Sequence, residues 1–169
     1  SLDFASLKNV PILFICENNF YSVYSQLNVR QASNRNISTL AESHGIKAFK
    51  GDGNNIQQVS EITEKAVKYI KNNNAPAFVE LETFRWLEHC GPNDDDDLGY
   101  RKEGELDQWV KRDPIASYKS RMIEDHQLTE KEIIKTVEVI STEIDEAFRF
   151  AKESPFPDQS VLNQHIYKD

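Results

Sequence analysis

Cysteine is scarce in this 169-residue chain: only Cys16 and Cys90 occur, too few for a disulfide framework and without the CxxC spacing of a zinc or redox motif. Long apolar runs are missing too. The longest, Val10 to Cys16, falls far short of the roughly 20 residues that cross a bilayer, and no basic-then-apolar targeting segment opens the chain. We therefore expect no membrane partner and a cytoplasmic protein. Basic residues are outnumbered, 20 against 28 acidic, and the net charge of -8 repels a nucleic-acid backbone unless a local basic stripe overcomes it. No such stripe is present, so no nucleic-acid partner is expected. The chain also lacks a G-x-S-x-G elbow, a G-x-x-x-x-G-K-[ST] loop, an H-E-x-x-H pair and a G-x-G-x-x-G turn, which removes the common hydrolase, nucleotide and zinc-protease signals.

What is present is enough chain to bury a sizeable core. Pro11 to Cys16 is a continuous apolar run of the kind buried on both faces of a parallel sheet. A short helix is expected from about Ser38 to His44, closed by Gly45, and a short strand from Ile46 to Lys50. Gly51-Asp-Gly-Asn-Asn55 is turn chemistry. Ile56, Val59, Ile62, Ala66, Val67 and Ile70 recur three or four apart and predict a helix, which Asn72-Asn-Asn74 and Pro76 end; Ala77 to Thr83 is a third strand. Strands separated by helices argue for parallel pairing, with ligands beyond the carboxyl ends of the strands. Those ends are Glu17-Asn-Asn19, Gly51-Asp-Gly53 and Arg85 to Cys90.

Beyond an acidic loop, Asn93 to Gly99, the sequence turns mostly helical. Asp113-Pro114 sets a capping side chain before a proline at the first helical position, and Thr129-Glu-Lys-Glu132 has the form of a capping box. Ile133, Val137, Ile140, Ile144, Ala147, Phe148 and Ala151 mark a long amphipathic helix, stopped by Ser154-Pro-Phe-Pro157. In the acidic loop, Asp94, Asp96, Gly99 and Glu105 fall at positions 1, 3, 6 and 12 of a calcium loop, but position 5 is Leu98 and no helical pattern precedes it. A solvated or partner-facing loop is the expectation there. His44, His126 and His165 stand alone and read as surface or packing residues.

The apolar strand ends in Cys16-Glu-Asn-Asn-Phe-Tyr21, where an amide side chain and a turning backbone carbonyl face the ligand end of the sheet. By its local chemistry an Asn pair after a strand is also an ordinary turn. A loop histidine such as His89 is, by itself, an exposed side chain. Arg85, at a strand end, is equally suited to pair with one of Asp94 to Asp97.

Residues 10 to 21 nevertheless resemble the second half of the thiamine-diphosphate-binding motif in the alpha subunits of 2-oxo-acid dehydrogenase first components of pyruvate, branched-chain or acetoin type. Asp52-Gly-Asn54 before a helix, Phe78-Val-Glu-Leu-Glu-Thr-Phe-Arg85, a histidine soon after, and Lys111-Arg-Asp-Pro-Ile115 before terminal helices follow in that family's order. The resemblance covers about residues 2 to 158. It implies that Asn19, by its side chain, and Tyr21, by its backbone carbonyl, help bind a magnesium ion that holds the cofactor's diphosphate, a role suited to hard oxygen ligands. It makes Arg85 a further cofactor-binding residue, facing the channel that leads to the cofactor. It makes His89 the catalytic histidine of the loop near the cofactor, assisting proton transfer or acceptance by the lipoyl group, work that suits an imidazole as a residue type. Around His89 the chain departs from the family: Glu88 and Cys90 replace the usual small residue, second histidine and serine, which removes the usual phosphoserine. The family's Gly-Asp-Gly turn precedes the Asn pair and is expected upstream of residue 1; Gly51-Asp-Gly-Asn-Asn55 follows the pair and resembles the later Asp-Gly-Asn turn instead.

The implied fold is α/β, part of a thiamine-diphosphate-binding fold: a partial domain over 1–104 that lacks its upstream half, a helical segment of the same domain over 105–158, and a tail over 159–169. The implied function is the carboxy-terminal portion of a thiamine-diphosphate- and Mg2+-dependent dehydrogenase alpha subunit. It would act on a 2-oxo acid by oxidative decarboxylation, or cleave an acetoin-like substrate, and pass an acyl group to a lipoyl acceptor. A beta subunit in a heterotetramer-like assembly and a lipoyl-bearing acyltransferase are the implied partners, and the isolated piece is expected to be inactive. The alternative is a non-catalytic interaction or scaffold domain that keeps the fold.

Overall fold

Strand and helix periods decide the architecture. The computed structural model describes residues 1–164 and 166; His165 lies outside the described residues. In chain order the elements are α1 (Leu2–Leu7), β1 (Leu13–Asn18), β2 (Tyr21–Ser22), β3 (Ser25–Gln26), α2 (Leu27–Arg30), α3 (Ile37–Ser43), β4 (Lys47–Asp52), α4 (Ile56–Asn73), β5 (Ala77–Glu82), α5 (Glu105–Val110), α6 (Pro114–Glu124) and α7 (Glu130–Glu153). Short 3-10 turns lie between β5 and α5, at Asp96–Leu98, and after α7, at Gln159–Asn163. The chain divides into two units, Ser1–Ser120 and Arg121–Asp169.

In the first unit β1, β5 and β4 form a parallel sheet in that order, and β2 pairs with β3 as a small antiparallel hairpin. This is the expected α/β arrangement. Side chains alternate across β5. Ala77, Val79 and Leu81 pack on one face against Ile62, Ala66 and Ile70 of α4; Phe78 packs on the other with Ala41 of α3 and Ile46. The helical spacing read from Ile62, Ala66 and Ile70 thus becomes one half of the core. Asn55 caps α4 by accepting from the Gln58 N–H, and Asn74 ends it in the left-handed conformation, which asparagine tolerates better than most residues.

One expectation is corrected. The run Pro11 to Cys16 was expected to be buried on both faces, yet Ile15 is 56% exposed because β1 lies at an edge of the sheet. It is β5 that occupies the centre and is buried on both faces. The strand also begins later and continues through Asn18, because its pairing with β5 extends to Asn18 and Glu82.

In the second unit Thr129 and Glu132 complete the expected capping box: the Thr129 hydroxyl accepts from the Glu132 N–H at 3.3 Å, and the Glu132 carboxylate accepts from the Thr129 N–H at 2.8 Å. Hydrogen bonds from the Thr129 hydroxyl and backbone hold the Glu132 carboxyl below its ordinary value of 4.5. Because the folded value is depressed, the contribution is complete above 4.5 and disappears as the pH falls through the lowered value. Thr129→Ala should cost about 1 kcal/mol, and circular dichroism melts should show the difference from wild type shrinking in acid.

Candidate functional site

Parallel register brings the three strand ends to one edge, with Asn18 of β1 and Asp52 of β4 both opposite Glu82 of β5. Gly53 follows β4 so tightly that its N–H reaches the Glu82 carbonyl at 2.7 Å, and a Cβ there would lie 2.8 Å from that oxygen. Only glycine fits without a backbone shift.

Beyond β1 the chain makes two successive side-chain-capped turns. The Asn18 Oδ1 accepts from the Phe20 N–H at 3.1 Å, and the Asn19 Oδ1 accepts from the Tyr21 N–H at 3.0 Å. Phe20, between them, is left-handed at φ +63°, and its carbonyl accepts from the Leu27 N–H at 2.7 Å. Val23 in the following hairpin is also left-handed, at φ +55°, an outlier for a β-branched residue. The ordinary-turn chemistry of the Asn pair is therefore real, and it orients the residues implied as ligands. An amide oxygen has two lone pairs, so Asn19 Oδ1 retains capacity for a hard cation while it braces Tyr21.

Glu80 supports this turn from below. It lies on the Phe78 face of β5 and is 1% exposed. Its Oε1 accepts from Asn18 Nδ2 at 2.8 Å, while its Oε2 accepts from the Ser38 N–H at 3.1 Å and from the Ser38 hydroxyl. Lys50 lies 3.7 Å from Glu80 and 2.7 Å from Glu82. Sequence reasoning missed Glu80; the available signal was a carboxylate at a core-facing position of a buried strand.

The Tyr21 hydroxyl donates to Glu105 at 2.5 Å, and its ring meets Phe84 and Tyr100 edge-on. Burial, then the bond to Glu105, push the Tyr21 phenol well above its ordinary value. Glu105 is thereby used as a packing partner, and Asp94 accepts from the Asp96 N–H, so the residues aligned with a calcium loop do not converge as one. Among the described residues no group of three or more His, Cys, Asp or Glu is placed to hold a metal ion.

Arg85 does find the acidic loop, as its local alternative anticipated. Its Nη2 lies 3.6 Å from Asp95 and donates to the Tyr100 hydroxyl at 2.9 Å and the Val23 carbonyl at 3.2 Å. Asp95 is 1% exposed, accepts from Tyr100 at 2.6 Å and lies 3.0 Å from Arg101, itself buried. That last contact is ionic: Asp95 Oδ1 has no hydrogen-bond partner in good geometry. The expectation of a solvated loop is thus corrected at Asp95, while Asp94, Asp96 and Asp97 are exposed. The network brings Arg85 to the hairpin that carries Tyr21.

His89 is exposed on a turn whose base is closed by Glu88 and Asn93: the Glu88 N–H donates to the Asn93 carbonyl and Asn93 Nδ2 to the Glu88 carboxylate. Among the described residues no hydrogen bond or ion pair joins His89 to Asn19, Tyr21 or Arg85. His44, expected to stand alone, pairs with Asp3 at 2.5 Å. Asp52 is occupied structurally, accepting from the Asn54 N–H and pairing with Arg112 at 2.5 Å.

A cavity of about 320 Å³ opens beside the turn, lined in part by Tyr21, Gln31, Arg35, Lys102 and Glu105. Gln31 Oε1 is buried there without a hydrogen-bond partner. The arrangement is that of a parallel α/β protein whose ligand end carries paired amides, a strained turn and a polar cavity.

The dehydrogenase E1 component family matches residues 1–160, and the chain belongs to it. Among its relatives are pyruvate dehydrogenase E1 component subunit alpha of Rickettsia felis, 28% identical over 99% of this chain and 50% of the relative; the alpha-3, chloroplastic subunit of Oryza sativa subsp. japonica, 30% identical over 99% and 39%; and the testis-specific, mitochondrial alpha subunit of Homo sapiens, 31% identical over 99% and 42%. The chain spans half or less of the length of these relatives. No helix among the described residues is long and apolar enough to cross a membrane. Relatives named as chloroplastic and mitochondrial stand beside the bacterial ones, so family membership does not itself carry the cytoplasmic expectation.

Proposed function

We propose that this chain is part of the alpha subunit of a thiamine-diphosphate- and magnesium-dependent 2-oxo-acid dehydrogenase, working with a beta subunit in a heterotetramer-like assembly and passing its acyl product to a lipoyl-bearing acyltransferase. The observation that carries the reading is the doubly capped Asn18-Asn19-Phe20-Tyr21 turn at the carboxyl end of β1. A pyruvate-type 2-oxo acid is favoured over an acetoin-like substrate because the relatives named above are pyruvate dehydrogenase subunits.

The residues fit the group. Asn19 and the Tyr21 carbonyl offer neutral hard oxygens, and a diphosphate supplies oxygens that the protein does not. When bound, thiamine diphosphate supplies the carbanion chemistry of decarboxylation. The chain's own residues would do the rest: Asn19 and the Tyr21 carbonyl would hold the metal, Arg85 fixes the hairpin that begins at Tyr21, and His89 would carry a proton at its imidazole from an exposed loop tip. The Asp of the Gly-Asp-Gly half-motif would come from outside residues 1–169, and the glutamate that activates the aminopyrimidine from the beta chain.

The test is calorimetric titration of thiamine diphosphate into the longest natural form of the polypeptide, co-purified with its beta chain, with Mg2+ and again with the metal chelated. Binding in Mg2+ that chelation removes is the expected result. A folded, complete assembly that binds nothing would replace this reading by a scaffold domain that kept the fold.

A further inference from the structure

Asn18 has a side-chain amide whose direction matters. Its Oδ1 must face the Phe20 N–H for the first turn to close. A carboxylate accepts and never donates, so the buried Glu80 admits only Nδ2 on its side and thereby forces Oδ1 toward Phe20. The bond matters because Phe20 is a non-glycine residue held at φ +63° between the two residues that would contact the metal. Glu80 is itself fixed by Ser38 at the start of α3 and by Lys50 of β4, so the turn is tied to two neighbouring elements through one side chain.

We propose that Glu80 is a positioning residue: through Asn18 it sets the turn that presents the Asn19 side chain and the Tyr21 carbonyl to a magnesium diphosphate. The inference rests on the function proposed above for its ligand, while the coupling of Glu80 to the turn stands on its own. It touches neither metal nor cofactor and acts only through the amide it orients.

The test is a charge-for-amide exchange in the complete assembly, comparing Glu80→Gln, Asn18→Asp and the double variant. In Glu80→Gln the new amide can donate to Asn18 and lets it flip, freeing the Phe20 N–H. In the double variant an aspartate at 18 accepts from both Phe20 and the glutamine at 80, whose carbonyl still accepts from Ser38. Two readouts are taken. The first is hydrogen exchange at the Phe20 and Tyr21 amides of the cofactor-free assembly, with the amides of α4, on the other face of the sheet, as the control. The second is the calorimetric dissociation constant of thiamine diphosphate in saturating Mg2+.

Glu80→Gln should speed exchange at Phe20 and Tyr21 without changing α4, and weaken binding by about tenfold to a hundredfold, the range for residues that orient metal ligands. The double variant should recover both. Unchanged exchange in Glu80→Gln, or a double variant no better than either single one, overturns the proposal. If the wild-type assembly binds no thiamine diphosphate, the functional reading and the cofactor part of this proposal fall together. The exchange readout then decides the coupling by itself.

Discussion

Asn19→Ala should abolish magnesium-dependent binding of thiamine diphosphate by the complete assembly while leaving the cofactor-free protein folded. Two effects coincide at this residue. The substitution removes the only side-chain oxygen that the chain offers to the metal in this reading, and it removes the acceptor that braces the Tyr21 N–H at 3.0 Å. Magnesium demands near-octahedral oxygen geometry, so a displaced Tyr21 carbonyl compounds the missing ligand. Outer-shell substitutions alone cost roughly 10–100-fold in metal affinity; loss of a direct ligand together with its neighbour's brace should exceed about a hundredfold. Asn19 is only half-buried, so its removal leaves the core intact and the melting temperature of the cofactor-free assembly should hardly move. Asn19→Asp keeps an oxygen at the same place and should retain binding. Wild-type affinity in Asn19→Ala would take the metal away from this turn.

The parts of the molecule that were legible in the sequence are those whose signal is periodic or local. Ile62, Ala66 and Ile70 recur at helical spacing and become the inner face of α4; Ala77 to Leu81 is apolar enough to be the central strand; Thr129 and Glu132 are a local pair whose hydrogen bonds follow from their spacing. The Asn pair was legible as a turn, and its proposal as a site rests on the resemblance. Long-range choices were not legible. Glu80 sits in Val79-Glu-Leu-Glu82, where two glutamates look alike, and only the pairing of three strands shows that one is buried beneath Asn18 while the other is partly exposed. Nothing local separates Asp95 from Asp94, Asp96 and Asp97; the distinction arises when Arg85, upstream of the run, and Arg101, downstream of it, both close on Asp95 and bury it, while Asp96 meets Arg101 from an exposed position. The β2–β3 hairpin was missed because its strands are two residues long and its left-handed positions carry Phe20 and Val23 rather than glycine. Hydrogen bonds to the Asn18 side chain and from the Leu27 N–H fix Phe20, and Arg85 binds the Val23 carbonyl, so these contacts hold what local preference opposes.

Asp95→Ala should be strongly destabilising to the first unit, by about 3–5 kcal/mol, because it removes the buried partner of Arg101 at 3.0 Å and leaves it only the solvent-screened Asp96 at 3.6 Å. The geometry leaves little room for solvent to compensate: the Asp95 and Arg101 side chains are 1% and 2% exposed. Arg101 would keep its bonds to the carbonyls of Arg85 and Trp86, which satisfy donors but do not neutralise charge, and a longer contact with the exposed Asp96, whose charge water screens. Tyr100 would lose its acceptor, and Arg85 would lose its ionic partner while still reaching the Val23 carbonyl. Urea unfolding of the wild-type and variant proteins measures the cost as a lower midpoint at unchanged slope. A second pair of variants separates a stranded charge from lost packing. Asp95→Leu with Arg101→Met removes both charges and should be less destabilising than Asp95→Ala, because replacing a buried ion pair by apolar groups of similar volume is often close to neutral. If the double substitution cost more than the single one, the network would be holding the loop by its hydrogen bonds rather than by charge. The same variants bear on the site: Arg85 ties this loop to the hairpin that begins at Tyr21, so Asp95→Ala should also speed hydrogen exchange across residues 21–26 while the Glu80-supported turn at Phe20 stays protected.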